Sequence, residues 1–348
     1  MEEEPRVFAD FVEFFRHVHA QIDHWGDGED SFAHVSLFED HLQPVAEFGE
    51  IADWEGWRST SYGDTEKAFF VDGRMRIHAR ILFGEHVLLL GELLAGYAIW
   101  EKNRGISMGF SPQNPPSMER VLGAPEGIFW GKEIQKRILN LGGNFVFKIE
   151  ESRRISRSPQ NIETSQQALF NVLSRLEEQV TQQLLRQGVP VIKDGVLHPN
   201  EGFVFQPGVG PVGLVKRIEQ LPLSAEKREA LFRLGRGQRT PFLSCPLGEN
   251  LLKVFSYLRL TERDDRFPWK GLVRLEMVLQ KQAFPAMKGE LGRFFDRLAG
   301  FLPTLTADFP WRRLPENIFP IIALEDALGQ FFASSSWIQY LWTKSLWR

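Results

Sequence analysis

The sequence predicts a mixed α/β fold, and three observations predict it. From residue 67 onward, short apolar runs ending in turn residues alternate with longer stretches of helical periodicity. The 29 Phe and 10 Trp of this 348-residue chain supply ample apolar area for a core. Charged residues at 25% and hydrophobic residues at 43% are ordinary for a globular chain and exclude intrinsic disorder over most of it.

The first 66 residues carry 17 acidic and 3 basic side chains, yet Phe8, Phe11, Val12, Phe14, Phe15 and Val18 interleave with those charges at helical spacing. That pattern predicts an amphipathic helix over 6–24, stopped by Gly26 and Gly28, and a second helix over 32–48. Five of the eight histidines lie in this block, and His17 and His24 share a helix face. No carboxylate pattern accompanies them, so a surface or partner-facing role is the simpler account.

Residues 68–71 read as a buried strand ending in Asp72-Gly73, a turn signal. Residues 75–83 read as its hairpin partner and 86–93 as a third strand. The Pro-, Gly-, Ser- and Asn-rich stretch 103–128 reads as a long loop. Residues 130–141 read as a helix and 144–149 as a strand. Thr164 or Ser165 can cap a long helix that runs to about residue 187, where Gly188 stops it. Strands are expected at 189–192, 203–205 and 212–216, near Phe242 and Val254, and over 272–279. Helices are expected over 223–234, 286–301 and 321–332. The simplest organisation is one α/β domain over 67–348 with an acidic helical extension over 1–66.

The net charge of −4 conceals an asymmetry. It is −14 over 1–66, from 17 acidic and 3 basic residues, and +10 over the rest, from 28 acidic and 38 basic. A polyanion is repelled by the first block and attracted by the second. The single cysteine, Cys245, excludes an intramolecular disulfide framework and a Cys-based zinc site and fits a reducing compartment. The longest apolar stretch, 87–100, is interrupted by Glu92 and is too short to span a bilayer. Met-Glu-Glu-Glu-Pro at the start lacks the basic region of a secretory signal. A cytoplasmic location without membrane attachment is the expectation.

Carboxylates are the residues with chemistry to offer. Asp72 and Asp194 each follow a buried strand and precede a glycine. Between them lies the long helix, whose apolar stripe is Leu169, Leu173, Leu176, Val180 and Leu184. Glu177 borders that stripe, one turn from Leu173 and Val180, with Glu178 the second choice. Carboxylates held close together cannot all ionise cheaply unless cations neutralise them, and Mg²⁺ or Mn²⁺ are the natural oxygen-ligand partners. Two such ions can activate a water and stabilise the leaving oxygen of a phosphodiester.

A first strand with Asp, a meander, a helix with Glu and a strand with Asp is the order of the ribonuclease H-like fold, a mixed sheet flanked by helices. Within that fold the chain resembles the NurA nucleases. The resemblance is carried by Phe69-Phe70-Val71-Asp72-Gly73-Arg74, Val191-Ile192-Lys193-Asp194-Gly195-Val196-Leu197 and Gly213-Leu214-Val215-Lys216-Arg217. Further matches are Arg239-Thr240-Pro241, Val273-Arg274-Leu275-Glu276-Met277 and the ending Phe319-Pro320-Ile321-Ile322-Ala323-Leu324-Glu325-Asp326-Ala327. Together they span roughly residues 65–335 in the family's order.

The resemblance implies that Asp72 and Asp194 are metal ligands, with Glu177 the third. Where the family places a histidine near its end, this chain has Glu325, which can also ligate Mn²⁺ or Mg²⁺. The second motif carries Val196 where the family has a small Ser. The implied protein is a homodimeric Mn²⁺- or Mg²⁺-dependent DNA nuclease holding two ions per site. Its implied activities are those of a 5′–3′ exonuclease and single-strand endonuclease. It would act in double-strand break end resection with a HerA-like hexameric ATPase.

Basic residues fit a DNA role. Residues 132–157 carry seven Lys/Arg against three acidic residues, and 216–239 carry the same. Lys216, Arg217, Arg236 and Arg239 are the candidate phosphate contacts. Gly235-Arg236-Gly237 and the run 207–211 lack the Gly-Lys-Ser/Thr of a P-loop, so an energy-dependent step must come from a partner. The acidic block would then dock that ATPase. The alternative is a catalytically weakened relative serving as a DNA-binding or assembly subunit, motivated by Glu325 in place of histidine. A carbohydrate hydrolase with paired carboxylates is the third possibility, but the Trp residues that suggest it are scattered and better explained as core.

Overall fold

The computed structural model describes Val12, Phe15 and residues 21–25, 46–47, 65–128, 137–153, 162–197, 206, 208–218, 221, 223–307 and 317–346. Two short strands come first, β1 (Gln21–Trp25) and β2 (Ala46–Glu47). Then a long hairpin dominates: β3 (Lys67–Phe83) and β4 (His86–Glu101) pair antiparallel from end to end. Gly84 makes the turn with φ 58°, a conformation that glycine adopts without steric cost. β5 (Gly105–Met108), β6 (Ser117–Pro125), β7 (Ile138–Asn140) and β8 (Val146–Ser152) follow. The helix α1 (Ile162–Leu185) then crosses back to β9 (Val191–Asp194) and β10 (Val212–Val215). After α2 (Ala225–Arg233) come β11 (Leu243–Leu247), β12 (Leu251–Arg259) and β13 (Leu272–Gln280). Three helices close the described chain: α3 (Phe284–Phe301), α4 (Phe319–Gly329) and α5 (Ser335–Leu346).

Among the described residues thirteen strands share one mixed sheet, ordered β2-β11-β12-β13-β10-β9-β3-β4-β6-β8-β7, with β1 added to β3 and β5 to β4. β9 lies parallel to β3 and β10 parallel to β9, while β3, β4 and β6 form an antiparallel meander. α1 packs Leu169, Val172, Leu173, Leu176 and Val180 onto Phe69, Val71, Leu89, Leu93 and Val121 on one face. α3 and α4 cover the other face, where Phe294, Leu298, Ile321, Leu324 and Leu328 meet Phe70, Leu94, Ile192, Leu214 and Leu275. Each such side chain contributes roughly 1.5–3 kcal/mol on burial, which is what fastens the helices. Among the described residues, no helix is long and apolar enough to cross a membrane.

Several expectations are corrected. Asp72-Gly73 is not a turn, because β3 runs straight through it and the segment expected as its hairpin partner is the same strand. The stretch expected as a long loop contains β5 and β6, which add to β4. The helix expected to reach His24 does not: Val12 and Phe15 are helical, but Gln21–Trp25 pairs with β3. Ala46–Glu47, expected within a helix, pairs with β11. Ile138–Asn140, expected as helix, is a strand on β8. In the last three cases an open strand edge outweighs local helical spacing. The other residues of the two N-terminal helices, including His17, lie outside the described residues, as do 129–136 and the strand expected at 203–205.

The acidic block is also sewn to the body. Val12 and Phe15 are buried with Ile81, Leu90 and Trp342, alongside the pairing of β1 with β3 and β2 with β11.

Candidate metal centre

Parallel pairing brings the two aspartates together. Phe70 lies opposite Ile192 and Val71 opposite Lys193, so one further step sets Asp72 beside Asp194 where β9 ends. Alternation directs both side chains to the face covered by α4. On that helix Ile321, Leu324 and Leu328 are buried against the sheet, and Glu325 borders them. Oxygens of Asp72, Asp194 and Glu325 all lie within 4.8 Å of one another. Asp72 is 7% exposed, and the other two are half-buried. Arg74 fixes the third member, donating from Nη1 to the Glu325 carbonyl oxygen at 2.7 Å.

Desolvation, then the charges of Asp194 and Glu325, push the Asp72 carboxyl well above its usual range. Lys216 answers the cluster directly: its Nζ stands 2.6 Å from Asp194 Oδ2 and donates to Asn317 Oδ1 at 3.1 Å. Burial opposes the Lys216 ammonium, but Asp194 and then Asp72 hold its pKa above the ordinary lysine value. Asp194 Oδ1 is buried with no hydrogen-bond partner. An orphaned carboxylate oxygen is costly in a protein interior unless a cation or water meets it. The donor set is all oxygen, so the residues present fit a hard divalent ion such as Mg²⁺ or Mn²⁺.

Glu177, expected as a ligand, does not join the three. It projects from α1 against the opposite face of β3, where a Cβ on Gly73 would stand 2.6 Å from Glu177 Oε1. Its Oε2 is 2.6 Å from Lys193 Nζ, and Lys193 in turn donates to the Asp194 carbonyl oxygen at 3.0 Å. Glu178 is buried but also stands outside the cluster. Glu177 thus bears on Asp194 through Lys193. Burial opposes the Lys193 ammonium, but Glu177, then Asp194 and Asp72, together more than offset it and hold the group above its ordinary value. Lys193, Arg74 and Asn317 were not singled out from the sequence. Alternation within 191–194 was the available signal for Lys193, since it turns that side chain away from Ile192 and Asp194 and toward α1.

The candidate phosphate contacts divide. Lys216 belongs to the carboxylate centre rather than to an open surface. Arg217 and Arg236 are exposed, with the Arg236 guanidinium donating to the Pro303 carbonyl oxygen at 2.8 Å. Arg239 is a correction: it is 0% exposed, its Nε donates to Asp296 Oδ1 at 2.8 Å, and its guanidinium lies over the Phe242 ring. A residue so enclosed cannot touch a phosphate. Within 132–157, Arg137 pairs with Glu151 and Lys148 with Glu119, each at 2.6 Å. Those surface pairs offset the positive stripe the sequence suggested. No protein-family model and no curated protein matches this chain.

Proposed function

We propose that this chain is a divalent-metal-dependent deoxyribonuclease of the ribonuclease H-like type, as its resemblance to the NurA nucleases implies. The observation that carries the reading is the meeting of Asp72, Asp194 and Glu325 from β3, β9 and α4. The strand order β6-β4-β3-β9-β10, with a meander followed by a helix and two parallel strands, supports the same fold type. A bound Mn²⁺ or Mg²⁺ would supply Lewis-acid activation of water and of the leaving oxygen. The chain's own part is to hold and orient. Asp72, Asp194 and Glu325 present the oxygens, Arg74 anchors the Glu325 backbone, and Lys193 steadies the end of β9 from Glu177. Linear duplex ends or single strands are the proposed substrates.

Homodimerisation and a HerA-like ATPase partner rest on the resemblance alone. For the latter, the acidic block is the proposed docking surface. Because its described parts are integral to the sheet, substituting its acidic residues tests docking better than truncation does. Unchanged co-purification of a Glu29→Lys, Asp30→Lys variant with such an ATPase would sink that step.

The decisive assay is Mn²⁺-dependent degradation of linear DNA by the wild type, Asp72→Ala and Asp194→Ala. Loss of activity on the order of a thousandfold is expected in both variants, as for removal of a central electrostatic group. Equal residual activity in all three proteins excludes the proposed site. A second reading, a weakened relative that binds DNA without cutting it, is favoured by the Lys216 ammonium already seated on Asp194. DNA binding without Mn²⁺-dependent cleavage by the wild type would establish it.

A further inference from the structure

We propose that Lys216 is the built-in second cation of this centre, so that each chain takes up one divalent ion rather than two. The inference rests on the metal-nuclease reading and sharpens it. Lys216 follows β10 directly, and its ammonium is a compact point charge seated on Asp194 Oδ2 at 2.6 Å. Its other partner, Asn317, is 4% exposed, and the same Oδ1 also accepts the Ile318 N–H at 3.1 Å, immediately before α4. The amide is therefore fixed by the start of the helix that carries Glu325. Lys216 spans β10, β9 and α4, and swinging it aside would break contacts to two elements.

Oxygen accounting points the same way. A carboxylate that bridges two metal ions gives one oxygen to each. In Asp194, Oδ2 is committed to Lys216, and Oδ1 is the buried atom without a partner. Only one of its oxygens is free to meet an added ion.

Charge accounting agrees. Lys216 sets a positive charge on the three carboxylates, and Arg74 sets a second at the Glu325 backbone, so the negative charge left in this partly buried site suits one divalent ion better than two. The Glu177–Lys193 pair cancels itself and supplies no further negative charge.

The test is Mn²⁺ binding by the intact chain, read by calorimetry and by electron paramagnetic resonance at saturating Mn²⁺. The wild type should bind one ion per chain and give the spectrum of isolated ions. Lys216→Met should bind two ions and give the signal of a spin-coupled pair, while Lys216→Arg, which keeps the charge, should stay at one. Two ions in the wild type, or in Lys216→Arg, overturn the role of Lys216 and leave the metal-nuclease reading standing. One ion in a folded Lys216→Met overturns that role as well. No Mn²⁺ uptake by the wild type overturns the metal reading and this inference together. Should Lys216→Met fail to fold, the wild-type stoichiometry and spectrum still decide.

Discussion

One face of the β3–β4 hairpin carries two buried carboxylate centres with opposite electrostatics. Asp72 lies opposite Gly96, and Arg76 lies opposite Glu92, four residues along the same strand or about 13 Å away. Glu92 is 0% exposed, yet each of its oxygens is engaged. Oε1 accepts from Arg120 Nε at 2.6 Å, and Oε2 accepts from the Ala333 N–H at 2.7 Å and lies 3.2 Å from His78 Nε2. Burial alone would raise that carboxyl, but His78, the Ala333 N–H and Arg120 overcome it and hold the group below its usual range. The other ring nitrogen of His78 lies 3.1 Å from Ser335 Oγ at the start of α5, so the network staples that helix to the hairpin. Asp72 has carboxylates for neighbours and is pushed up instead. The difference separates a strut from a site: complete partners make a buried charge structural, and a deficit of cations makes it a place for a ligand.

The sharpest break of this contrast is Glu92→Ala. It leaves Arg120 and His78 without their anion and unfastens α5, so a loss of about 3–5 kcal/mol is expected in urea unfolding. A loss below about 1 kcal/mol would remove the distinction. Next in size is Gly73→Ala, whose new methyl would press on Glu177 Oε1 and on Leu173 Cδ1 at 2.7 Å. It should cost about 1–3 kcal/mol by the same unfolding measurement.

Asp72→Asn should have the opposite sign to Glu92→Ala. By relieving repulsion it should stabilise the metal-free protein on the order of 1 kcal/mol, while abolishing any rise in melting temperature on adding Mn²⁺. A destabilised, Mn²⁺-responsive Asp72→Asn would contradict the assignment of that carboxylate.

The pH dependence is the finest test, and its sign follows from the two shifts. Glu92, lowered in the fold, stabilises above its unfolded pKa and loses that contribution as pH falls through the folded value. Asp72, raised in the fold, contributes stability in acid that is lost as pH rises through its folded pKa. From neutral to mildly acid pH, the metal-free wild type should therefore gain melting temperature relative to Asp72→Asn. Saturating Mn²⁺, which favours the ionised carboxylate, should remove that gain in acid. Parallel curves without metal would refute the raised Asp72 pKa.

Glu325 was offered by the resemblance alone, whereas Asp72 and Asp194 could be chosen from the sequence because each follows an apolar run that announces a buried strand. Their setting could not. Asp-Gly encodes a turn locally, whereas here the full-length pairing of β3 with β4 carries the strand through Gly73 to Gly84. Glu177 was expected as a ligand because it borders the stripe of α1, but its partner is Lys193, and which face a lysine takes depends on the sheet. Arg239 sat in a glycine-containing stretch that suggested a surface loop. Its counter-ion, Asp296, is far away in sequence on α3. The strands β5 and β6 carry turn-forming residues around them, and α5 opens on two serines that interrupt the apolar pattern. Long-range ion pairs and the added strands β1 and β2 share one trait: no local window contains both partners.

That trait also governs when the carboxylate centre can form during synthesis. The first strands must wait for distant partners, Ala79–Leu82 for β1 and, much later, Ser244 and Leu243 for β2. The three carboxylates lie far apart in the chain, and Glu325 and Asn317 are made long after Asp72 and Asp194. Long-range closure of this kind is slow. A growing chain therefore holds Asp72 and Asp194 without their third carboxylate until α4 has been made, and the centre is assembled only when that helix packs on the sheet.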